Sequence, residues 1–256
     1  MECPKCNSSK LTKRGFDGHK QVYECTNCNH RTKNPFMDNI LIIGDTHLPA
    51  TKEYYLEFLI ATMSRFNCKE IIHIGDLVDF HSISYHEHDP DYHSVSNELK
   101  LVRYQLKRWI NTFPNMKICI GNHDLLIYRK AKTHGLSKEF FKSMNQILDV
   151  PDTWTFDNEF QIQNIKFFHG TGFSGKYPHA NAATTHRQNC VIGHCHAVAG
   201  IEYTASAKDL IWGMSVGSGV DDKQIVFEYG QDMPRKSIIS CGVIVDGNPI
   251  IQTMKI

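Results

Sequence analysis

Three short apolar runs in this chain end alike. Ile40–Ile43, Ile71–Ile74 and Met116–Ile120 are each followed by glycine and then a hard oxygen donor, as Gly44-Asp45, Gly75-Asp76 and Gly121-Asn122. Such runs read as strands buried on both faces, the pattern of a parallel sheet covered by helices. Helical stripes lie between them. Tyr55, Leu59, Ile60, Met63 and Phe66 recur at helical spacing within 52–66. Leu99, Val102, Leu106, Trp109, Ile110 and Phe113 form a second stripe, ended by Pro114. Strand, helix, strand, helix, strand calls for right-handed crossovers and a parallel sheet, so the three donors fall at one sheet edge.

Two further helical stretches are predicted within 124–132 and 137–148. The texture then changes to short strands, at 160–168, 189–192, 197–204, 209–216, 223–229, 238–246 and 249–255, linked by Gly, Asp and Asn turns. An α/β first half with a strand-rich second half predicts two facing sheets with helices outside.

Five motifs carry the chemistry: Asp45-Thr-His47, Gly75-Asp76-Leu-Val-Asp79, Gly121-Asn122-His123-Asp124, His169-Gly170 and Gly193-His194-Cys-His196. Alone, each has a plainer explanation as a turn or a strand-end cap. In order, and mostly on strand ends, they predict a two-metal hydrolytic centre. Phosphate-ester hydrolysis needs charge neutralisation, an activated water and a proton for the leaving oxygen. Two divalent ions about 3.5–4 Å apart supply the first two. Asp76 is the candidate bridge. A mixed His, Asp and Asn set suits Mn²⁺ first, and Fe, Zn²⁺ or Ni²⁺, better than Mg²⁺.

Other residues have quieter readings. His73, inside the second run, is expected to be a packed histidine, and Asp124 a helix N-cap. Of the unassigned His134, His179 and His186, the last is expected nearest the site. The loop Phe80–Ser94 carries His81, His86, His88 and His93, either as a rim that meets substrate or as a solvated loop.

Ahead of these motifs stand Cys3-Pro-Lys-Cys6 and Cys25-Thr-Asn-Cys28, whose spacing matches a structural zinc site. Two knuckles would close a tetrahedron of thiolates around one Zn²⁺, with a turn at Gly15-Phe-Asp-Gly18 and a strand at Gln21–Glu24 between them. So short a segment cannot bury enough apolar surface unaided, so the metal would supply its folding energy. Cys68, Cys119, Cys190, Cys195 and Cys241 are scattered and read as small buried hydrophobes, Cys195 facing away from its ligand neighbours. The Cys-Pro-x-Cys opening, the basic stretch and the Tyr-x-Cys-x-x-Cys close resemble the zinc ribbons of transposase proteins. That resemblance implies contact with nucleic acid or another protein.

The 256 residues allow one full domain and a small module, a zinc ribbon at 1–36 and a main domain at 37–256, with a break at Asn34-Pro35. Hydrophobic content of 41% and charged content of 21% fit a soluble globular chain. No apolar run reaches the roughly 20 residues of a membrane span, so no membrane partner is expected. The N-terminus lacks a signal-peptide pattern, and with unpaired cysteines this points to a cytoplasmic location. Residues 1–36 hold seven Lys or Arg against three acids, in a chain whose net charge is only +1. A basic tip of this kind suits a phosphate backbone or a solvated face equally.

The five motifs, in this order over about 38–200, resemble the calcineurin-like metallophosphoesterases, in compactness the bacterial and phage members. The resemblance implies an α/β fold, a four-layer α/β/β/α sandwich of two mixed sheets flanked by helices, in a bacterial or phage-infected cell. It implies that Asp45, His47, Asp76 and His196 bind one metal, and Asp76, Asn122, His169 and His194 the other. A hydroxide bridging the metals would attack the ester. His123 would assist the leaving group, oriented by Asp79.

One departure narrows the substrate. The phosphoprotein phosphatases have Arg after the final Asp of the second motif, where this chain has Phe80. A phosphodiester carries one charge less than a monoester and needs that anchor less. Cleavage of a phosphodiester, in DNA or RNA delivered by the ribbon, is therefore expected first. The alternative is a phosphomonoesterase acting on a nucleotide, a small metabolite or a phosphoprotein. A scaffold without turnover would need a degraded ligand set, and this set is complete.

Overall fold

The computed structural model describes Cys3, Cys6 and residues 8–18, 20–32, 38–85, 92–224 and 235–255. The Asn34-Pro35 break, the boundary near Met37, His86, His88 and residues 225–229 of one expected strand lie outside the described residues.

Near the N-terminus, β1 (Leu11–Asp17), β2 (Lys20–Cys25) and β3 (Arg31–Thr32) make an antiparallel sheet that, among the described residues, pairs only within itself. The turn is tighter than expected. Phe16 and Asp17 still pair with Gln21 and Lys20, a bulge falls between Lys13 and Phe16, and the reversal begins at Gly18. Gly15, at φ 101°, takes up the bulge, a conformation open to glycine without strain.

The remaining strands form two mixed sheets. In the first, β4 (Asn39–Ile43), β5 (Cys68–His73), β6 (Met116–Cys119) and β7 (Trp154–Asp157) run parallel. The antiparallel pair β13 (Ser240–Val245) and β14 (Asn248–Thr253) extends it beyond β4. The second runs β11-β12-β10-β9-β8, from Ala199–Ala205, Leu210–Val216, Asn189–Ile192, Ile165–Phe168 and Glu159–Ile162.

Side-chain alternation builds the layers. In β4, Leu41 and Ile43 enter a core with Leu59 of α1 (Tyr55–Arg65), Leu106 of α2 (Val95–Thr112) and Leu148 of α4 (Met144–Leu148). Ile40 and Ile42 enter a second core with Phe167, Val191 and Met214 of the facing sheet. Cys190 and Ile192 of β10 turn from that core into a third, against Ala182 and Ala183 of α5 (Pro178–His186). Three cores separate four layers, α/β/β/α. The continuous apolar run of β4 follows from its burial on both faces, each full side chain contributing about 1.5–3 kcal/mol.

Several expectations change. The strand expected at 160–168 is the hairpin β8–β9, reversed by Gln163 and Asn164, both at positive φ (55° and 61°), as a two-residue hairpin turn requires. The stretch 137–148 is a 3₁₀ turn at Lys138–Phe140 and then α4, separated by an extended Phe141. Ile60 lies 37% exposed, and α1 packs instead through Leu56, Leu59 and Thr62. Three strands and helices have no counterpart in the sequence reading, β3 of the small sheet and, in the sandwich, β7 and α5. The α5 sequence is half alanine and threonine and has no apolar stripe, because Ala182 and Ala183 suffice at a close approach to the sheet. There His179 O would stand 1.9 Å from a Cβ on Gly213. α3 (Leu126–Thr133) follows the third motif. No helix among the described residues is long and apolar enough to cross a membrane.

Candidate metal centre

Asp45, Asp76 and Asn122 follow β4, β5 and β6, and His169 and His194 follow β9 and β10. Parallel strand ends bring them to one edge of the sandwich. Glycine makes the approach possible: a Cβ on Gly121 would lie 2.1 Å from Asp76 Oδ1, and one on Gly193 2.2 Å from Asp45 Oδ1. His47, Asp76 and His194 adopt positive φ (44°, 49° and 64°). Each such non-glycine residue costs about 1–3 kcal/mol and persists only where its surroundings hold it. The Asp76 carbonyl accepts from Thr46 N (3.1 Å) and His47 N (3.0 Å), and His194 N donates to Asp45 Oδ2 at 2.9 Å.

The donors fall into two sets that share Asp76. His169 Nδ1 lies 3.1 Å from the Ile74 carbonyl, which fixes its proton there and leaves the Nε2 lone pair facing inward. Around that Nε2 stand Asp76 Oδ2 (3.2 Å), Asn122 Oδ1 (3.1 Å) and His194 Nδ1 (3.2 Å). In the other set, His47 Nδ1 donates to Asp79 Oδ1 at 2.7 Å and its Nε2 faces Asp76 Oδ2 at 3.5 Å. His196 Nε2 lies 3.1 Å from Asp45 Oδ2. Asp45 Oδ1 is buried without a hydrogen-bond partner.

Lone pairs crowded against carboxylates in this way repel unless a proton or a cation lies between them. An imidazole that gives its outer N–H to a carbonyl or carboxylate and turns its other nitrogen inward is the usual arrangement of a metal-bound histidine. The residues therefore fit two divalent ions, with Asp76 Oδ2 common to both sets. The groups Asp45, His47 and His196, and Asp76, His169 and His194, each keep their ligand atoms within 4.8 Å.

Electrostatics agree. Burial disfavours charge on His169, yet the Asp76 and Asp45 charges outweigh it and hold the pKa up at about 10. Burial likewise opposes charge on Asp76, but His169 holds it well below the carboxylate range. So much buried negative charge draws protons onto imidazoles, as a site shaped for cations does when none is bound.

His123 is placed differently. Its Nδ1 lies 2.8 Å from the Asp79 carbonyl and 3.0 Å from Asp79 Oδ1, and its backbone N–H donates to Asp76 Oδ1 at 2.8 Å. Burial lowers its pKa, but the Asp79 hydrogen bond and the Asp76 charge prevail and raise it to about 9. His47, fully buried beside that charge, is pushed the other way, first by burial and then by His123. Asp79 thus faces a charged His123 and a neutral His47. The ligand atoms of His47, Asp76 and His123 also fall within 4.8 Å, but His123 Nδ1 is committed to Asp79.

Asp124 is not the expected helix cap. Leu125 occupies the N-cap position of α3. The Asp124 carboxylate accepts from Asp76 N and Gly121 N, both at 2.9 Å, and from Val78 N at 3.3 Å. It ties the second motif to the third from beneath, a role visible only once both loops are folded. His73 is fully buried, as expected, between Gly75 N (3.2 Å) and Thr46 Oγ1 (3.0 Å). His186 is not among the grouped ligand atoms; it is exposed at the end of α5, its ring 5.1 Å from that of Phe168. Cys195 turns away, Sγ to the Phe173 carbonyl at 3.5 Å. Phe80 and His81 are buried and His93 is exposed. Glu98 of α2, an acid with no role in the sequence reading, accepts from His81 N (2.8 Å) and Ser82 N (3.1 Å) and so anchors this loop.

In the ribbon, the four Sγ atoms of Cys3, Cys6, Cys25 and Cys28 gather within 4.8 Å. The Cys3–Cys28 and Cys6–Cys25 separations of 3.6 Å are too long for disulfides. They are near the roughly 3.8 Å edge of a tetrahedron with Zn–S of about 2.3 Å. A hydrogen bond with the Ser8 backbone helps to lower the Cys6 pKa to about 6, favouring the thiolate. The cluster can hold a structural metal.

Residues 39–211 match the family model of the calcineurin-like phosphoesterases. Among solved structures, vacuolar protein sorting 29 from Cryptosporidium parvum is similar at 14% identity and a TM-score of 0.42, over 85% of this chain and 96% of that one. YfcE, a phosphoesterase from E. coli, is similar at 14% identity and 0.41, over 81% and 88%. The nuclease MPE of Pseudomonas putida is similar at 11% and 0.38, over 94% and 100%. Scores this low add no weight to the family match. Among curated proteins no relative matches. On the family match, which spans most of the sandwich, the chain belongs to the calcineurin-like phosphoesterases, a family that implies divalent metal ions at a binuclear site.

Proposed function

We propose that this chain is a two-metal phosphodiesterase acting on nucleic acid. The carrying observation is the convergence of seven donors, Asp45, His47, Asp76, Asn122, His169, His194 and His196, into two sets joined at Asp76 Oδ2. Divalent ions held there, Mn²⁺ foremost, would neutralise the phosphoryl oxygens and lower the pKa of the attacking water. Asp45 and Asp76 would supply the anionic charge for them, and the inward nitrogens of His47, His169, His194 and His196 would supply lone pairs, a bound ion displacing any proton held there.

His123 handles the proton. With Nδ1 held by Asp79, its Nε2 is left to give a proton to the leaving oxygen, and its side chain is 18% exposed where most of the cluster is sealed. Asp79 steadies the charged ring and fixes its tautomer. Phe80 supports the diester reading. Its side chain lies in the core beside Leu77 and Val78, so this position offers no cation to a monoester dianion.

Parallel assays of a generic diester and a generic monoester with Mn²⁺, with and without chelator, test the reading. The expected result is chelator-sensitive cleavage that favours the diester. A clear monoester preference would overturn the choice of substrate.

A further inference from the structure

The loop between β9 and α5 begins at His169, and its first half is anchored at both ends. Phe173 N donates to the Gly170 carbonyl at 3.0 Å. The Phe173 carbonyl accepts from Cys195 Sγ at 3.5 Å, between the proposed ligands His194 and His196. The Phe173 ring lies against the core beneath α5, its centroid 5.8 Å from that of Phe168. Gly170 is buried, and a Cβ on it would stand 3.0 Å from the Ile192 side chain. Gly172 borders open space instead. Nothing lies within 4 Å of a Cβ there, and its φ of 95° is what asks for glycine.

Between these anchors stands Thr171. Its side chain is exposed, yet Oγ1 reaches the centre, 3.5 Å from Asn122 Oδ1. That oxygen is a proposed metal donor, and His169 Nε2 lies nearer to it, at 3.1 Å. At 3.5 Å the hydroxyl contact is at the long end of hydrogen bonding, and the proton is readily turned to a better acceptor. A phosphoryl group seated at Asp76, Asn122, His169 and His194 comes beside Asn122 Oδ1, and so beside this hydroxyl. The buried Phe80 leaves that group without the donor an arginine would be. We propose that Thr171 touches the substrate, its hydroxyl donating to a non-bridging phosphoryl oxygen as charge gathers there in the transition state. The proton stays on Oγ1, and no bond to Thr171 forms or breaks. With its backbone held on either side, the donor needs little reorganisation, the condition under which it contributes most. The proposal rests on the two-metal phosphoesterase reading and adds a contact to the same site. The plainer role, orienting the Asn122 amide, would show in metal retention instead.

Inorganic phosphate is titrated calorimetrically into the full chain loaded with Mn²⁺, and metal content is measured after dialysis. Thr171→Val is expected to retain its metals and to bind phosphate about tenfold more weakly, as for one lost hydrogen bond to a charged group. Its kcat/KM on a generic diester is expected to fall about 100-fold, as for a lost transition-state donor. Thr171→Ser is expected to restore most of both. Ser174→Ala, which removes another exposed hydroxyl from the loop, is expected to change neither. The two diastereomers of a phosphorothioate diester read the contact itself, because sulfur accepts a hydrogen bond poorly. The ratio of their rates is expected to shift about tenfold in Thr171→Val, the worth of the same hydrogen bond. Metal loss from Thr171→Val would make Thr171 a support for Asn122 and overturn the contact. An unchanged phosphate Kd, an unchanged diastereomer ratio, or equal losses in Ser174→Ala would overturn it too. Absence of all diester cleavage strikes the phosphodiesterase reading alone, because the phosphate titration still decides Thr171.

Discussion

Asp79 Oδ1 lies 2.7 Å from His47 Nδ1. The same oxygen stands 3.0 Å from His123 Nδ1. One carboxylate thus orients a proposed metal ligand and the proposed proton donor, and the two imidazoles meet edge to face with centroids 4.5 Å apart. In the proposed roles, metal binding and proton transfer would be coupled through a single side chain. Burial opposes charge on Asp79, but the hydrogen bonds from His123 and His47 hold its pKa down at about 2.

Asp79→Asn is therefore expected to affect both functions. Metal affinity should fall about 10- to 100-fold, as for a lost partner of a ligating histidine, and turnover should fall with it. Metal content after dialysis, followed by rates at saturating Mn²⁺, separates the two. Full activity restored by excess metal would show that Asp79 serves His47 alone.

His123→Ala is expected to keep both metals and to lose about 100- to 10,000-fold in turnover, the usual worth of a positioned acid. Elemental analysis of the purified variant is the check. Loss of one metal per chain would make His123 a ligand, which the 4.8 Å grouping with His47 and Asp76 also permits.

Asp124→Ala strands three backbone N–H groups, those of Asp76, Gly121 and Val78. At about 1–3 kcal/mol for each buried unsatisfied group, a loss of at least about 3 kcal/mol is expected in urea unfolding. A helix cap would cost only about 1 kcal/mol. A loss that small would return Asp124 to the capping role.

His73 carries a pH signature. Burial pushes its pKa down to about 3, against 6.5 for the free side chain. Below pH 6.5 the unfolded chain therefore binds a proton that the folded chain refuses. This contribution to stability is present above pH 6.5 and is lost as pH falls from 6.5 towards 3. Urea titrations of metal-free protein should show a shallower acid slope in His73→Gln. Equal slopes would mean that His73 is protonated in the folded state.

Removal of metal should unfold the ribbon alone. Its sheet has an exposed Phe16, and Glu24 pairs with Arg14 at 2.7 Å and with Arg31 at 3.6 Å. Exposed pairs of this kind contribute about 0–1 kcal/mol. Cys25→Ser is expected to lose the amide dispersion of residues 11–32 in NMR spectra while the sandwich signals persist. Deletion of residues 1–36 is expected to spare small-diester cleavage and weaken action on DNA or RNA. Equal nucleic-acid cleavage by both forms would remove the ribbon from substrate binding.

Much of this molecule was legible from one dimension. The run Ile40–Ile43 is apolar at every position because both faces of β4 are buried, so strand, sheet and the edge that carries Asp45 follow together. The glycine after each run is needed because a Cβ would collide, with the Gly217 carbonyl oxygen at Gly44, with His169 Nδ1 at Gly75 and with the Asp76 carboxylate at Gly121. The spacing of Cys3, Cys6, Cys25 and Cys28 likewise implies its tetrahedron. Only the folded chain decided the rest. The sharing of Asp79 by two histidines and the clamp made by Asp124 depend on contacts between loops 32 to 48 residues apart. Helix α5 escaped notice because alanine signals little by period when the sheet lies so near. Local pattern records what each segment must bury, whereas distant side chains meet only where the whole core has already set the distance between strand ends.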